Sequence, residues 1–293
     1  MISVIIPAYN EEGFIGETLQ LMLQSDVPAP KVAGAQPDIP SGAPPVEVIV
    51  VANGCRDATV AEAQELTGAF LERGWALKVL ALPTGSKTLA LNAGSAAARY
   101  PKQIFVDADI HVSPGLFAAL DRALDRPEPC YASGRPRIRR AQSWLSHRYA
   151  QFWQRLPFMA TGVPGCGLYA VNAAGRARWT QIPEVTADDI FVRSHFSPEE
   201  RTAVPDTYSW PIAEGLVRLV RVRRRQNQGL TELSIACPGL HVAGERTAPD
   251  GLRKLELLVS DPVGFAVYAG VALLVRTPVF ANRRRWERGR GDD

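Results

Sequence analysis

Through residues 1–126 the chain alternates short apolar runs with longer segments of helical periodicity, and this alternation constrains its fold more than any other feature. Residues 2–6, 46–51, 77–82 and 103–106 are rich in Val, Ile and Leu and carry few polar interruptions. Such runs suit strands covered on both faces, as in a parallel sheet flanked by helices. A helix candidate follows each one. After the first, Asn10 is placed to cap a helix carrying Phe14, Ile15, Leu19, Met22 and Leu23 at helical spacing; others are expected at 57–71, 87–99 and 114–124. Four successive βα units therefore imply an α/β fold with a mostly parallel sheet.

Residues 27–45 interrupt the pattern with six prolines among Gly, Ala and Ser, a composition that holds neither a regular helix nor a central strand. This stretch reads as a loop inserted between the first helix and the second strand. Beyond residue 126 the pattern is less regular: 168–171 and 216–222 read as strands, and 186–195 and 249–259 as helices. Neither an internal repeat nor a clean linker is evident, so a single domain with a mixed C-terminal half is expected.

Composition narrows the function classes. A 293-residue chain with 46% hydrophobic residues is neither disordered nor a disulfide-stapled mini-protein. Its net charge of +3 is too near neutral for a nucleic-acid binder, and none is expected as a partner. The balance conceals five arginines in each of 135–148, 218–225 and 283–290, which points to anions met locally. Cys55, Cys130, Cys166 and Cys237 form no CxxC pair and read as buried free thiols. The first residues run directly into a strand without a basic, cleavable leader, so a cytoplasmic location is expected.

Chemistry-bearing residues gather where the strands end. Pro7, Ala8, Tyr9, Asn10, Glu11 and Glu12 close the first run, at the sheet edge where open α/β folds collect ligands. Asn53, Gly54, Cys55, Arg56 and Asp57 close the second. Gly85, Ser86 and Lys87 superficially suggest a phosphate loop, but Ser86 separates the Gly from the Lys and Leu80 stands where an earlier Gly is needed. A nucleoside triphosphatase is thereby disfavoured, while a lysine at a helix start still suits a diphosphate. Asp107 and Asp109 follow the fourth run, and alternate strand positions would aim both carboxylates one way, a usual arrangement for Mg2+ or Mn2+.

Together these segments are specific. VIIPAYNEE (4–12), VVANGCRDAT (50–59), GSK with ALNAG (85–94) and FVDAD (105–109) resemble, in order and spacing, the motifs of family 2 glycosyltransferases, the inverting nucleotide-sugar enzymes of GT-A fold. TGVPGCG (161–167) and ADDIFVR (187–193) match more loosely. The resemblance implies a Rossmann-like, mostly parallel sheet with a mixed C-terminal half. It assigns 1–126 to the nucleotide-sugar, 127–245 to the acceptor and catalytic base, and 246–293 to C-terminal helices contacting a membrane surface or another copy.

By the same resemblance, Pro7, Ala8, Tyr9 and Glu11 cradle base and ribose, and Asn53 takes the place of an aspartate that contacts the base. Because an amide both donates and accepts, the base stays open. Lys87 sits by the diphosphate, Asp107 by the ribose or metal, and Asp109 on the metal. The paired acids Asp188 and Asp189 match the motif supplying the general base, with Asp189 as base and Asp188 in support; Arg193 is expected to pair with one of them. A divalent metal, Mn2+ or Mg2+, is the implied cofactor, with the nucleotide-sugar as donor. The sugar, the nucleotide and the acceptor, lipid-linked or not, are left open. Where relatives often carry Gln-x-x-Arg-Trp, this chain has RVRRRQ (221–226), which speaks against a processive polymer synthase.

A sugar-1-phosphate nucleotidyltransferase would show a glycine-rich N-terminal signature absent from 2–12. A non-catalytic nucleotide-sugar-binding protein would have little reason to keep Asp107, Asp109 and Asp189 together. Residues 263–275 form an apolar run too short for the roughly 20 residues of a spanning helix, followed by Arg276 and the arginines of the tail. That combination suits a peripheral contact with an anionic membrane face, or a core or oligomer helix.

Overall fold

The computed structural model describes residues 1–26, 43–160, 162–240 and 251–280. Most of the inserted loop at 27–45, the residue Thr161 and the basic tail at 283–290 lie outside them. Along the chain run β1 (Ile2–Ala8), α1 (Ile15–Leu23), β2 (Val46–Asn53), α2 (Thr59–Glu65), α3 (Thr67–Glu72), β3 (Ala76–Leu82), α4 (Lys87–Ala97), β4 (Gln103–Val106), β5 (His111–Val112) and α5 (Leu116–Ala123). There follow β6 (Tyr131–Ile138), α6 (Trp144–Trp153), α7 (Pro157–Ala160), β7 (Leu168–Val171), α8 (Ala173–Arg176), α9 (Asp188–Arg193), β8 (Arg201–Trp210), α10 (Gly215–Ala236), α11 (Gly251–Ser260) and α12 (Pro262–Val275).

The strands join in one sheet of order β3-β2-β1-β4-β7-β6-β8-β5. β1 pairs in parallel with β2 and β4, and β2 in parallel with β3. β4–β7, β6–β7 and β5–β8 are antiparallel. This is the α/β fold expected, with a parallel half built from the four βα units and a mixed remainder. The chain divides into two compact units: Met1–Arg135 with Gly165–Glu184 and His195–Ser209, and Pro136–Pro164 with Val185–Ser194 and Trp210–Asp293.

In the first unit every residue of β1, β2 and β4 is buried, which explains their mostly apolar runs. Fully burying one such Val or Ile side chain contributes about 1.5–3 kcal/mol, so these three strands form the main apolar store. β3, at the sheet edge, is only partly covered and tolerates Lys78. α4 lies close on the sheet because Gly94 has no side chain: a Cβ there would stand 2.4 Å from Ile5 Cγ2.

The second unit is helical. α12 packs its aromatic face on α6, with Phe152 against Phe265 at 5.9 Å and Tyr149 stacked on Tyr268 at 5.3 Å. Asp261 caps the start of α12, accepting from Gly264 N at 2.9 Å and from Arg148. Arg224 closes its other end, donating to the carbonyls of Leu274, Val275, Thr277 and Val279 at 2.8–3.3 Å. No helix among the described residues is long and apolar enough to cross a membrane.

Three local expectations are corrected. Residues 216–222 are the start of the 22-residue helix α10, not a strand. Val, Arg and Leu alternate there, but the apolar positions 216, 219 and 220 fit helical spacing equally well, and Leu219 and Val220 are the ones buried. The helix expected at 57–71 is broken at Leu66 into α2 and α3. Asn10 does not cap α1, which starts at Ile15; it adopts φ 51° in the preceding turn.

Candidate active site

At the C-terminal edge of the parallel strands, three loops meet within the first unit. After β1, Asn10 takes a left-handed conformation that its short polar side chain tolerates. It ties this loop to the next: its N–H meets Cys55 Sγ at 3.3 Å and its side-chain oxygen accepts from Arg56 N at 2.8 Å. Glu11 N donates to Thr59 Oγ1 at 2.7 Å and Glu12 N to Asp57 Oδ2 at 3.2 Å. Burial pushes the Asp57 carboxyl up, but hydrogen bonds from the Thr59 side chain and from the Thr59 and Glu12 N–H groups outweigh it, so its pKa lies below the ordinary value. Asp57 is therefore a charged clasp between the first two loops at neutral pH.

Asn53, the last residue of β2, is buried, and its amide donates to Ala8 O at 2.7 Å and Val51 O at 3.4 Å. The side chain thus fastens the end of β2 to the end of β1. Gly54 turns with φ +67°, where a Cβ would stand 2.6 Å from Gly85 N; a Cβ on Gly85 would meet the Tyr9 ring at 3.1 Å. Glycine at both positions lets the loops after β2 and β3 touch and lets Tyr9 lie across them. Pro7 and Ala8 are buried at the strand end, whereas Tyr9 and Glu11 are partly exposed in the loop.

Opposite them, Ser86 caps α4 by accepting from Leu89 N, and Lys87 is the first residue of that helix. Lys87 Nζ stands 2.8 Å from Asp107 Oδ1, both side chains about one-third exposed. Asp107 follows β4 directly, its N–H bonded to Gly167 O at 2.8 Å. Asp107, Ala108 and Asp109 do not continue the strand as expected: Ile110 N returns to Asp107 O at 3.1 Å, forming a turn. Strand alternation therefore does not orient the two carboxylates; the turn does, with Ala108 buried between them and its carbonyl held by Thr18 Oγ1 at 2.7 Å. Both carboxylates remain partly exposed.

Gly165 and Gly167 also adopt positive φ, and a Cβ on Gly165 would fall 1.8 Å from the Tyr131 hydroxyl. That tyrosine stands stacked on Tyr169, with ring centroids 6.0 Å apart, beneath the loop. Burial, with the nearby Cys166, keeps the Tyr208 hydroxyl protonated well above its usual range. Asn92 links α4 to the segment after α8 by a reciprocal pair with Ile182, 2.8 and 2.9 Å.

In the second unit Asp188 and Asp189 open α9. Asp188 is buried, at 4% exposure, whereas Asp189 is partly exposed and its Oδ1 accepts from Ile190 N at 2.8 Å. The preceding segment is held to α10: Thr186 donates to Glu232 Oε2 at 2.8 Å, and Gly229 lets α10 approach Thr186 and Ala187 to within contact of its own backbone. Arg193 is buried, its Nε donating to Val163 O at 2.8 Å and its guanidinium 5.2 Å from the Phe158 ring. Sequence reasoning did not single out Glu232, Gly229 or Phe158. Their partners lie tens of residues away or on another helix, so spacing carried no signal for them.

Hard oxygen donors at Asp107 and Asp109 suit Mg2+ or Mn2+. No cluster of three metal-ligating side chains exists among the described residues, so an ion here would take its remaining ligands from a bound diphosphate and water.

Solved structures share this architecture. The mannosyltransferase PcManGT from Pyrobaculum calidifontis, in complex with GDP-Man and Mn2+, aligns with a TM-score of 0.57 over 97% of this chain and 76% of that one, at 18% identity. TarS 1–349 from S. aureus aligns with a TM-score of 0.50 over 95% of this chain and 84% of that one, at 16% identity. At these identities the likeness is one of fold, the GT-A fold of nucleotide-sugar-dependent glycosyltransferases. The model of the glycosyl transferase family 2 matches residues 3–179, more than half of the chain, and the chain belongs to that family. No curated protein sequence matches it.

Proposed function

We propose that this glycosyltransferase works with inversion, moving a sugar from a nucleotide diphosphate-sugar to an acceptor hydroxyl. The observation that carries the reading is the junction of three strand-end loops at Tyr9, Gly54 and Gly85 beside the Lys87–Asp107 pair. Pro7, Ala8, Tyr9 and Glu11 form the base and ribose side, and Asn53 holds that side in shape by clasping Ala8. Lys87 meets the diphosphate as a point charge; Asp107 and Asp109 hold the divalent cation, with Asp107 also reaching the ribose. When bound, that cation supplies Lewis-acid stabilisation of the leaving diphosphate. The complex of PcManGT with GDP-Man and Mn2+ supports such a donor and ion.

Asp189 takes the acceptor proton as the acceptor oxygen attacks the anomeric carbon opposite the leaving group. Asp188, buried beside it at the start of α9, supports it. Residues 1–126 bind the donor, and 127–245 carry the acceptor site and base. A lipid-linked acceptor in envelope polysaccharide or glycolipid synthesis, reached by peripheral contact at the cytoplasmic membrane face, accords with the apolar and basic C-terminal sequence.

The test is a panel of UDP-, GDP- and dTDP-sugars with Mn2+ or Mg2+ and varied acceptors, the product's anomeric configuration being read by NMR. One donor is expected to turn over with its configuration inverted. Retention would refute the inverting mechanism, and tight metal-dependent binding with no turnover on any acceptor would favour a binding protein.

A further inference from the structure

α11 is amphipathic in an unusual sense: its wider apolar face points away from the protein. Leu257 alone is buried, at 1% exposure, while Leu252, Leu255, Leu258 and Val259 are 82%, 58%, 40% and 74% exposed. At 100° per residue these four share one arc, and Leu257 lies on the other side. Val263, at the start of α12, adds a further exposed side chain at 48%. The helix is nevertheless anchored: Arg155 donates to Ser260 Oγ at 2.6 Å, and Asp261 caps α12. The apolar run of α12 is partly engaged within the unit, where Phe265 and Tyr268 pack on α6 and Val271 is 2% exposed, while Leu273 stays 63% exposed.

We propose that the outward face of α11, not the apolar run of α12, is a docking surface for an anionic lipid bilayer. Two features select that occupant over a second protein surface. One exposed cation borders the apolar arc, Lys254 on the edge next to Leu258, whereas on the other edge Arg253 is paired with Glu256 at 2.5 Å. The chain beyond Phe280 adds Arg283, Arg284, Arg285, Arg288 and Arg290 with Trp286, a residue favoured at the headgroup level. In addition, a ten-residue helix is about 15 Å long and offers far less than the roughly 800 Å² per partner of a stable protein interface. A helix lying in the headgroup plane needs only such an apolar face and its cations.

This inference deepens the peripheral-contact reading above, and its test needs no turnover. The full chain is floated with phosphatidylcholine vesicles, with and without phosphatidylglycerol. Wild type is expected to float with the anionic vesicles and to release as salt is raised. Leu255→Asp/Val259→Asp should lower the apparent partition constant about tenfold or more. Leu71→Asp, at an equally exposed apolar site on α3, should float as wild type does. Circular dichroism and nucleotide binding by each variant report whether it is folded. The proposal is overturned if wild type stays with the soluble fraction or if the folded double variant floats unchanged. It is equally overturned if the variant only converts a wild-type dimer to a monomer in light scattering. Loss of flotation with donor turnover intact would leave the transfer chemistry standing, and the reverse result would separate the two in the other direction.

Discussion

At the scale of single residues, exposure separates the two acids of α9. A base must reach a hydroxyl that arrives from solvent, and Asp189 is partly exposed while Asp188 is buried. Asp189→Asn keeps the shape and the acceptor for Ile190 N but removes basicity. We expect it to lower kcat by about 10²–10⁴ with donor affinity unchanged, as measured by single-turnover transfer and calorimetric nucleotide titration. The placement of most motif residues was legible: Asn53 and Asp107 lie at strand ends and Lys87, Asp188 and Asp189 at helix starts, whereas Asn92 lies within α4. Their individual tasks were less so. Asn53 reads as a base contact, and its Nδ2 also donates to Ala8 O and Val51 O, an arrangement set by the register of two strands rather than by any local pattern. The turn at Asp107 to Asp109 was hidden for a similar reason, since one hydrogen bond from Ile110 N ends the strand earlier than the apolar pattern suggests.

At the scale of elements, two charged side chains hold helices in place. Lys102 Nζ meets Asp121 Oδ1 of α5 at 2.8 Å. Burial raises the Asp121 pKa, but the hydrogen bond and charge of the Lys102 ammonium and the Met1 amino group outweigh it, leaving it below its ordinary value. A depressed folded pKa means that the contribution is fully present above the unfolded value and lost as pH falls through the folded one. Stability should therefore drop on acidification below about pH 4, and Asp121→Asn should remove that component of the acid limb while costing about 1–2 kcal/mol at neutral pH in urea unfolding. Arg224 does comparable work for α12 by gathering the carbonyls at its C-terminus. Arg224→Met should cost about 2 kcal/mol, read as a lower urea midpoint with faster amide exchange in the last turn of α12. Strand β4 was foreseen residue for residue at 103–106, because a strand buried on both faces advertises itself. Helix α10 was misread at its start because a short Val-Arg-Leu-Val stretch satisfies period 2 and period 3.6 alike, and only Leu219 and Val220 facing inward decides between them.

At the scale of the whole molecule, ligand binding should register as stability. A nucleoside diphosphate with Mn2+ at 100 times its dissociation constant should stabilise the fold by about 2.7 kcal/mol, and a chelator should abolish most of the thermal shift if Asp107 and Asp109 hold the ion. The order of the βα units, the parallel half of the sheet and the family were determined by the sequence alone, because buried parallel strands and strand-end loops leave contiguous signals in the chain. Tertiary structure decided what those signals omit. It set the contact of Gly54 with Gly85, the pairing of Lys87 with Asp107, the tie from Thr186 to Glu232 and the outward turn of the apolar face of α11. Each of these joins residues distant in sequence or depends on which face of a helix its neighbours cover, and periodicity reports that a face is apolar without saying what covers it.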